Sequence, residues 1–464
     1  MASIVLLKQE DKGVIIMMRA LFSGVSGLKA HQQKMDVIGN NIANVNTVAY
    51  KASRVTFSDI LSQTLSSATG SNSTTGRGGS NAKQVGLGVQ LSSIDMLMTT
   101  GSTESTGNAT DLAINGDGFF IVRNGTTGSY MFTRAGNFTI DENGNLTTSD
   151  GMNVYGWLEY EIDTSDGSYI FDTDSDVEPI NIYSDSYNGN KKIVSAKATE
   201  YAVFSGSLDS SEKYVGNGVN DIGSGDPEVQ YTTTLTVYDS LGNTHKLKVN
   251  FTKCYVDSTD PDNPVTTWYW SIGDASGASD STASGYLKFD SNGKLITDDS
   301  DYDVTPSITV IPDSSTGAGS FTIDLDFSNL TMTAGNSSVE VSDVDGYKSG
   351  TLESISIDSN GIIMGVYSNG VQQPLGMIAL AKFDNPSGLA RAGSNYYVVT
   401  QNSGGFTGGV VANGSLSSGT LEMSNVDLST EFAQMITTQR GYQANSRVIT
   451  AVDEMLQTVI DMIR

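Results

Sequence analysis

The two ends of this chain carry the same heptad rhythm, and everything between them lacks it. Near the start, Leu21, Val25, Leu28, Met35 and Ile42 keep a 4-3 apolar spacing, with Gln32 and Gly39 in the polar or small slots and Ile38 beside them. Near the end, Leu428, Phe432, Met435, Tyr442 and Ile449 keep it again, and after one shift of phase it runs on through Val452, Leu456, Val459 and Ile463. Such spacing predicts two amphipathic helices, one at each terminus. They could pack on each other within one chain or on other copies. Gly24, Gly27 and Gly39 each cost the first helix about 1 kcal/mol relative to alanine, so it needs partners to persist. With no third helix in the chain to complete a core, partners from other copies are favoured.

The middle reads as β structure. Phe119-Phe-Ile-Val122, Tyr130-Met-Phe132, Phe138 and Ile140 are strand-sized, and Asn115-Gly116-Asp117-Gly118 and Asn124-Gly125 are turns between them. Thr232–Tyr238, Thr244–Phe251, Thr267–Trp270 and Ser320–Phe327 alternate with period two, as strands with one wet face do. A turn phrase recurs at Asp141–Leu146, Asp290–Leu295 and Asp358–Ile363, each with glycine in the fourth place. Ser66–Ala82 and Gly404–Gly419 are Gly/Ser-rich loops. Asp427 is placed to cap the final helix, with Glu431 in its first turns.

Charge and residue usage exclude several classes of function. The 464-residue chain has a formal net charge of −26, and from Asp166 to Glu340 there are 27 acidic and 9 basic residues, so a nucleic-acid partner is not expected. One cysteine, Cys254, rules out an intrachain disulfide, and two histidines, His31 and His245, leave little for metal sites or triads. Asp172–Glu178 alternates acids but lacks the glycine and distal glutamate of a calcium loop, and Asp257–Asp262 and Asp298–Asp303 are weaker. Carboxylate pairs such as Asp141 and Glu142 suit turns better than glycosidase chemistry. Trp157, Trp268 and Trp270 suit a core better than a ligand face. No catalytic residue, cofactor or metal is expected, and no apolar run is long enough for membrane insertion. Residues 1–16 fit nothing downstream and are expected to be a mis-assigned or disordered extension, the true start being Met17 or Met18, with no secretory signal.

Several phrases are specific. Leu21-Phe-Ser-Gly-Val-Ser-Gly-Leu28, Met35-Asp-Val-Ile-Gly-Asn-Asn-Ile-Ala-Asn44 and Ala49-Tyr-Lys51 resemble the N-terminal signature of the bacterial flagellar rod and hook family. Leu421-Glu-Met-Ser-Asn-Val-Asp-Leu428, Met435–Ser446 and Asp453-Glu-Met-Leu456 resemble its C-terminal counterpart. Asp111–Val122 with Phe132-Thr-Arg-Ala-Gly-Asn-Phe138 resembles its shared β domain. The resemblance runs end to end from Met18. The acidic insert, Tyr238–His245 and Leu375–Leu389 resemble hook rather than the shorter rod members.

The resemblance implies a structural subunit exported without a signal peptide through the flagellar type III apparatus. It implies assembly under a hook cap into a helical tube, curved and flexible, that transmits torque between the distal rod protein and the hook–filament junction protein. The expected fold is multidomain. Terminal helices with their linker, 17–98 and 418–464, form a coiled-coil-like inner domain. A β-rich middle domain, 99–179 and 342–417, and an acidic, mainly antiparallel β domain, 180–341, nest outward. Leu21, Val25, Leu28, Met35, Ile38, Ile42, Phe432, Met435, Tyr442, Ile449 and Leu456 are the expected assembly contacts. Asn40, Asn41 and Asn44 are expected to close the helix, and Arg440 and Arg447 to make polar contacts. Some hook proteins link a cysteine covalently to a lysine; Lys246, Lys248 and Lys253 near Cys254 do not match that arrangement. A distal rod protein, a β-rich surface adhesin and a secreted hydrolase stay open as alternatives, although the last two leave the terminal heptads unexplained.

Overall fold

A computed structural model describes residues 2–71, 76, 78–125, 127–162, 168–187, 189–216, 229–260, 264–276, 283–297, 304–312, 315–409 and 415–463. Side chains are described from residue 18 onward, apart from 274–276, 407–409 and 463. The backbone is mostly β, with one long helix at each end, α1 (Ala2–Ala43) and α2 (Leu428–Ile463). Two compact units are built from interleaved stretches: residues 1–183, 356–364 and 374–464 in the first, 184–355 and 365–373 in the second.

In the first unit, α1 and α2 pack on each other. Beyond α1 the chain forms an antiparallel ribbon, Ser53–Asp59 with Val89–Met96, continued by Ser62–Ser66 with Lys83–Gly86. Two short pairs bring the distant chain ends together: Thr103–Ser105 with Thr420–Glu422, and Leu112–Asn115 with Ser415–Ser418. The sheet beyond them centres on Phe119–Arg123, which pairs with Tyr130–Thr133, Asn153–Trp157 and Leu380–Lys382. Its core is aromatic because this short-stranded sheet must fill space with few side chains. Phe383 meets Phe119 and Phe132 edge-on, with ring centroids 5.7 and 4.8 Å apart.

The second unit is a sandwich of two four-stranded sheets over one buried cluster. One sheet follows the order Tyr231–Tyr238, Thr244–Asp257, Val265–Ser276, Ser284–Phe289 as an antiparallel meander. In the other, Tyr201–Asp209 runs parallel to Phe321–Thr333 and antiparallel to Glu340–Val344. Phe327 sits at the centre, within 4.9 to 6.1 Å of Phe204, Trp270 and Phe251. Trp157, Trp268 and Trp270 are all core residues, and Cys254 is buried in its strand.

The recurrent turn is one device used four times. At Asp141, Asp239, Asp290 and Asp358 the aspartate carbonyl accepts from the N–H of the glycine three places on, at 2.9–3.1 Å. The glycine φ lies between 76° and 88°. In the first three the carboxylate also accepts from the backbone N–H four residues on. The Asp239 copy carries leucine in place of asparagine, which hides it from a literal search. At Asp172–Glu178 the Asp172 carboxylate accepts from Asp174 N, a local turn bond. Among the described residues no group of three or more His, Cys, Asp or Glu could hold a metal, and no helix is long and apolar enough to cross a membrane. Asp298–Asp303 lies outside the described residues.

Candidate assembly site: the helix pair and its anchor

Glycines set how closely the terminal helices approach. A β-carbon on Gly24 would lie 3.1 Å from Ile449, one on Gly27 2.7 Å from Asn445, and one on Gly441 2.7 Å from the His31 ring. Paired residues rise along α1 as they fall along α2, so the helices run antiparallel. Gly39, by contrast, meets nothing. The inward face of α1 is therefore small: Gly24, Gly27 and Ala30 are buried, followed by Ile38 and Asn41. On α2 the inward stripe includes Glu431, Thr438 and Val452. Helices that meet through glycine approach backbone to backbone, and their large side chains are pushed to the flanks.

The flanks are where most expected contact residues fall. Val25, Phe432 and Tyr442 are exposed, while Leu21, Leu28, Met35, Ile42, Met435, Ile449 and Leu456 are half-buried. Ile38 turns inward and is buried within the chain. Phe22, Ile436, Ile460 and Met462 extend the exposed apolar surface, at 66, 59, 59 and 80% exposure. Arg440 and Arg447 are exposed and carry no ion pair among the described residues.

Asn41 ties the pair to the rest of the unit. Its Oδ1 accepts from Ser53 N at 3.0 Å and from the Tyr50 hydroxyl at 3.3 Å. Its Nδ2 donates to Ser53 O at 2.9 Å and Glu431 Oε1 at 3.0 Å. Only a side-chain amide offers donors and acceptors in this arrangement. Asn44 closes α1 through its side chain on Asn40 O, and Asn40 donates to the Tyr50 hydroxyl. Asp427 caps α2, accepting from Ser429 N and Thr430 Oγ1. Burial pushes the Glu431 carboxyl above the usual range, opposed by the Asn41 bond and Lys34.

Beneath this joint lies a buried ionic cluster that local sequence patterns do not reveal. Lys51 Nζ is 2.6 Å from Glu422 Oε1, and Arg134 Nη1 is 3.4 Å from Glu422 Oε2, with all three side chains buried. Lys51 also donates to Thr99 O, Gly101 N to Glu422 Oε1, and Arg134 to the carbonyls of Gly116 and Gly118. Burial holds the Lys51 ammonium below its ordinary pKa, Arg134 adds to that, and Glu422 opposes it. Asn425 stitches Ala52 N to Leu97 O, and Asn395 donates to Val48 O. Arg391 donates to Lys51 O and lies over the Tyr50 ring. Lys51, Arg134 and Glu422 each sit inside a specific phrase of the sequence. The signal that could have found them is a charged residue embedded in an otherwise apolar and small segment.

The matches to known families follow the chain in order. "Flagella basal body rod protein" covers residues 21–51, "Flagellar hook protein FlgE/F/G D1 domain" 113–189, "Flagellar basal body protein FlaE D2 domain" 207–347, and "Flagellar basal body rod FlgEFG protein C-terminal" 417–462. Together they define an axial structural component of the bacterial flagellum. The flagellar hook protein FlgE of Borreliella burgdorferi is 38% identical over 96% of this chain and 99% of its own length. That of Treponema pallidum is 38% identical over 97% of this chain and 100% of its own. The flagellar basal-body rod protein FlgG of Bacillus subtilis matches at 28% over 97% of this chain and 100% of its own length. The chain belongs to the flagellar hook protein FlgE family. It is a structural subunit of the flagellar hook, polymerises with copies of itself in the flagellum, and is not an enzyme.

Proposed function

We propose that α1 and α2 form a coiled-coil-like inner domain lining the hook tube, and that the flanks of the pair bind neighbouring copies. The observation that carries this reading is the exposed apolar surface on the paired helices, with Phe22 and Phe432 at 66 and 49% exposure. A heterologous contact repeated along a screw axis builds an open tube without closing. Leu21, Val25, Leu28, Met35, Ile42, Phe432, Met435, Tyr442, Ile449 and Leu456 supply the apolar contacts, with Ile38 supporting them from within. Arg440 and Arg447 supply polar ones, while Asn40, Asn41 and Asn44 hold the joint at the helix end. The domains are the helices with their linker (17–98 and 418–464), a β-rich middle domain (99–179 and 342–417) and an acidic outer domain (180–341).

The chain leaves the cell by the flagellar type III export apparatus, unprocessed, and assembles beneath the hook cap protein. The finished tube joins the distal rod protein to the hook–filament junction protein. Glycine-weakened helices suit this route, because they are easily unfolded singly and gain stability in the polymer. Met435→Asp tests the reading. The variant is expected to lose polymerisation, seen by electron microscopy, while the acidic β unit stays folded. Normal tubes from Met435→Asp would refute it.

A further inference from the structure

A cavity of about 170 Å³ opens where α1, the ribbon and the start of α2 meet. Its wall is largely apolar, with Val37, Val55 and Leu97 among the lining residues. Asp427 and Glu431 are also among the residues that line it. Glu431 is nine-tenths buried, and while its Oε1 accepts from Asn41, its Oε2 has no hydrogen-bond partner. Two cations also line the cavity, Lys34 and Arg54. Arg54 is matched by Asp95 at 3.6 Å, Asp427 is satisfied as the cap of α2, and Lys34 makes no ion pair with Glu431 among the described residues. The cavity thus lacks a donor for Glu431 Oε2 and offers an apolar path toward it.

An arginine side chain has this chemistry: an apolar stem and a planar fork of donors that fits carboxylates. Arg440 and Arg447 are exposed on α2 and carry no ion pair among the described residues. Neither is among the residues that line the cavity of its own chain, and Arg440 lies nine residues, or about 14 Å, along α2 from Glu431. We propose that the cavity is a socket for a guanidinium from α2 of a second copy, so that the arginine of one subunit inserts between the helix pair and ribbon of the next. The proposal rests on the hook-subunit reading above and adds a defined charged contact to its apolar interface.

Charge exchange tests it. Polymer yield and critical concentration are measured for the full chain carrying Glu431→Arg, Arg440→Glu, Arg447→Glu, and the two doubles that combine the first change with each of the others. Glu431→Arg is expected to raise the critical concentration at least about tenfold, as loss of a desolvated charge pair does. One of the two doubles is expected to restore polymerisation, and which one does so identifies the arginine. A folding defect at residue 431 would not be repaired by a charge change a full 14 Å away, roughly, along the same helix, so rescue separates the socket from local damage. Polymerisation unaffected by Glu431→Arg, or rescue by neither double, would overturn the socket while leaving the hook-subunit reading intact. A wild-type chain that forms no polymer would overturn both.

Discussion

Lys51 and Glu422 are 371 residues apart in the sequence and 2.6 Å apart in the fold, both fully buried. Two charges removed from water do not gain much net stability as a pair, but removing one partner strands the other. Lys51→Met is therefore expected to destabilise the first unit by about 3–5 kcal/mol. The joint double variant Lys51→Met/Glu422→Leu should recover part of that loss, although Arg134 then loses its anion. Chemical denaturation of the three chains measures it.

Gly27 and Gly39 lie on one helix and should respond in opposite ways. A β-carbon at Gly27 collides with Asn445, whereas one at Gly39 meets open space. Gly27→Leu is expected to pry α1 from α2 and lower helix content. Gly39→Ala should stabilise the helix by about 0.5–1 kcal/mol through reduced backbone entropy. Circular dichroism during thermal melting distinguishes the two.

Glu431 gives the helix joint an acid-favoured stability. Its folded pKa is raised above 4.5 by burial, so the folded state binds the proton more tightly than the unfolded chain. The penalty for ionised Glu431 is fully present above the folded pKa and is relieved as pH falls through that value toward 4.5. Unassembled chain is expected to hold α1 and α2 together better near pH 4.5 than at pH 7. In Glu431→Gln this difference should shrink, as amide exchange in the two helices would report.

Asp239 does the reverse in the second unit. Burial pushes its carboxyl up, but bonds from Asn243, His245 and the Leu241 N–H outweigh that and hold it below 3.8. A depressed carboxylate contributes stability above its unfolded pKa and loses it as pH falls through the folded one. Asp239→Asn is expected to cost about 1–3 kcal/mol near neutrality. It should also flatten the acid limb of the second unit's unfolding curve below about pH 4. Tryptophan fluorescence follows it through Trp268 and Trp270.

Both helices, the period-two strands and the Asp-x-x-Gly turns are legible in the sequence, because each depends on residues a few places apart. The pairing of α1 with α2 is only half legible. Heptad spacing marks Leu21, Val25, Leu28 and Phe432 as apolar but does not say which neighbour each face meets. Hydrophobic periodicity passes over Gly24 and Gly27, which look like weak points in a helix and are where it meets α2. Ile38 and Val25 are both expected contact residues, yet one is buried in the chain and the other is exposed.

What the sequence alone determined is therefore local: helix at each end, β between, turns at the repeated aspartates, and a family signature carried by short phrases. Tertiary structure decided which helix face is inward, because closest approach is set by side-chain size, and glycine lets backbones touch where leucine cannot. It also decided that Lys51, Arg134 and Glu422 form one buried cluster. Residues drawn from three distant segments leave no periodic trace of their meeting. Their charges become mutually necessary only once the fold has taken all three out of water.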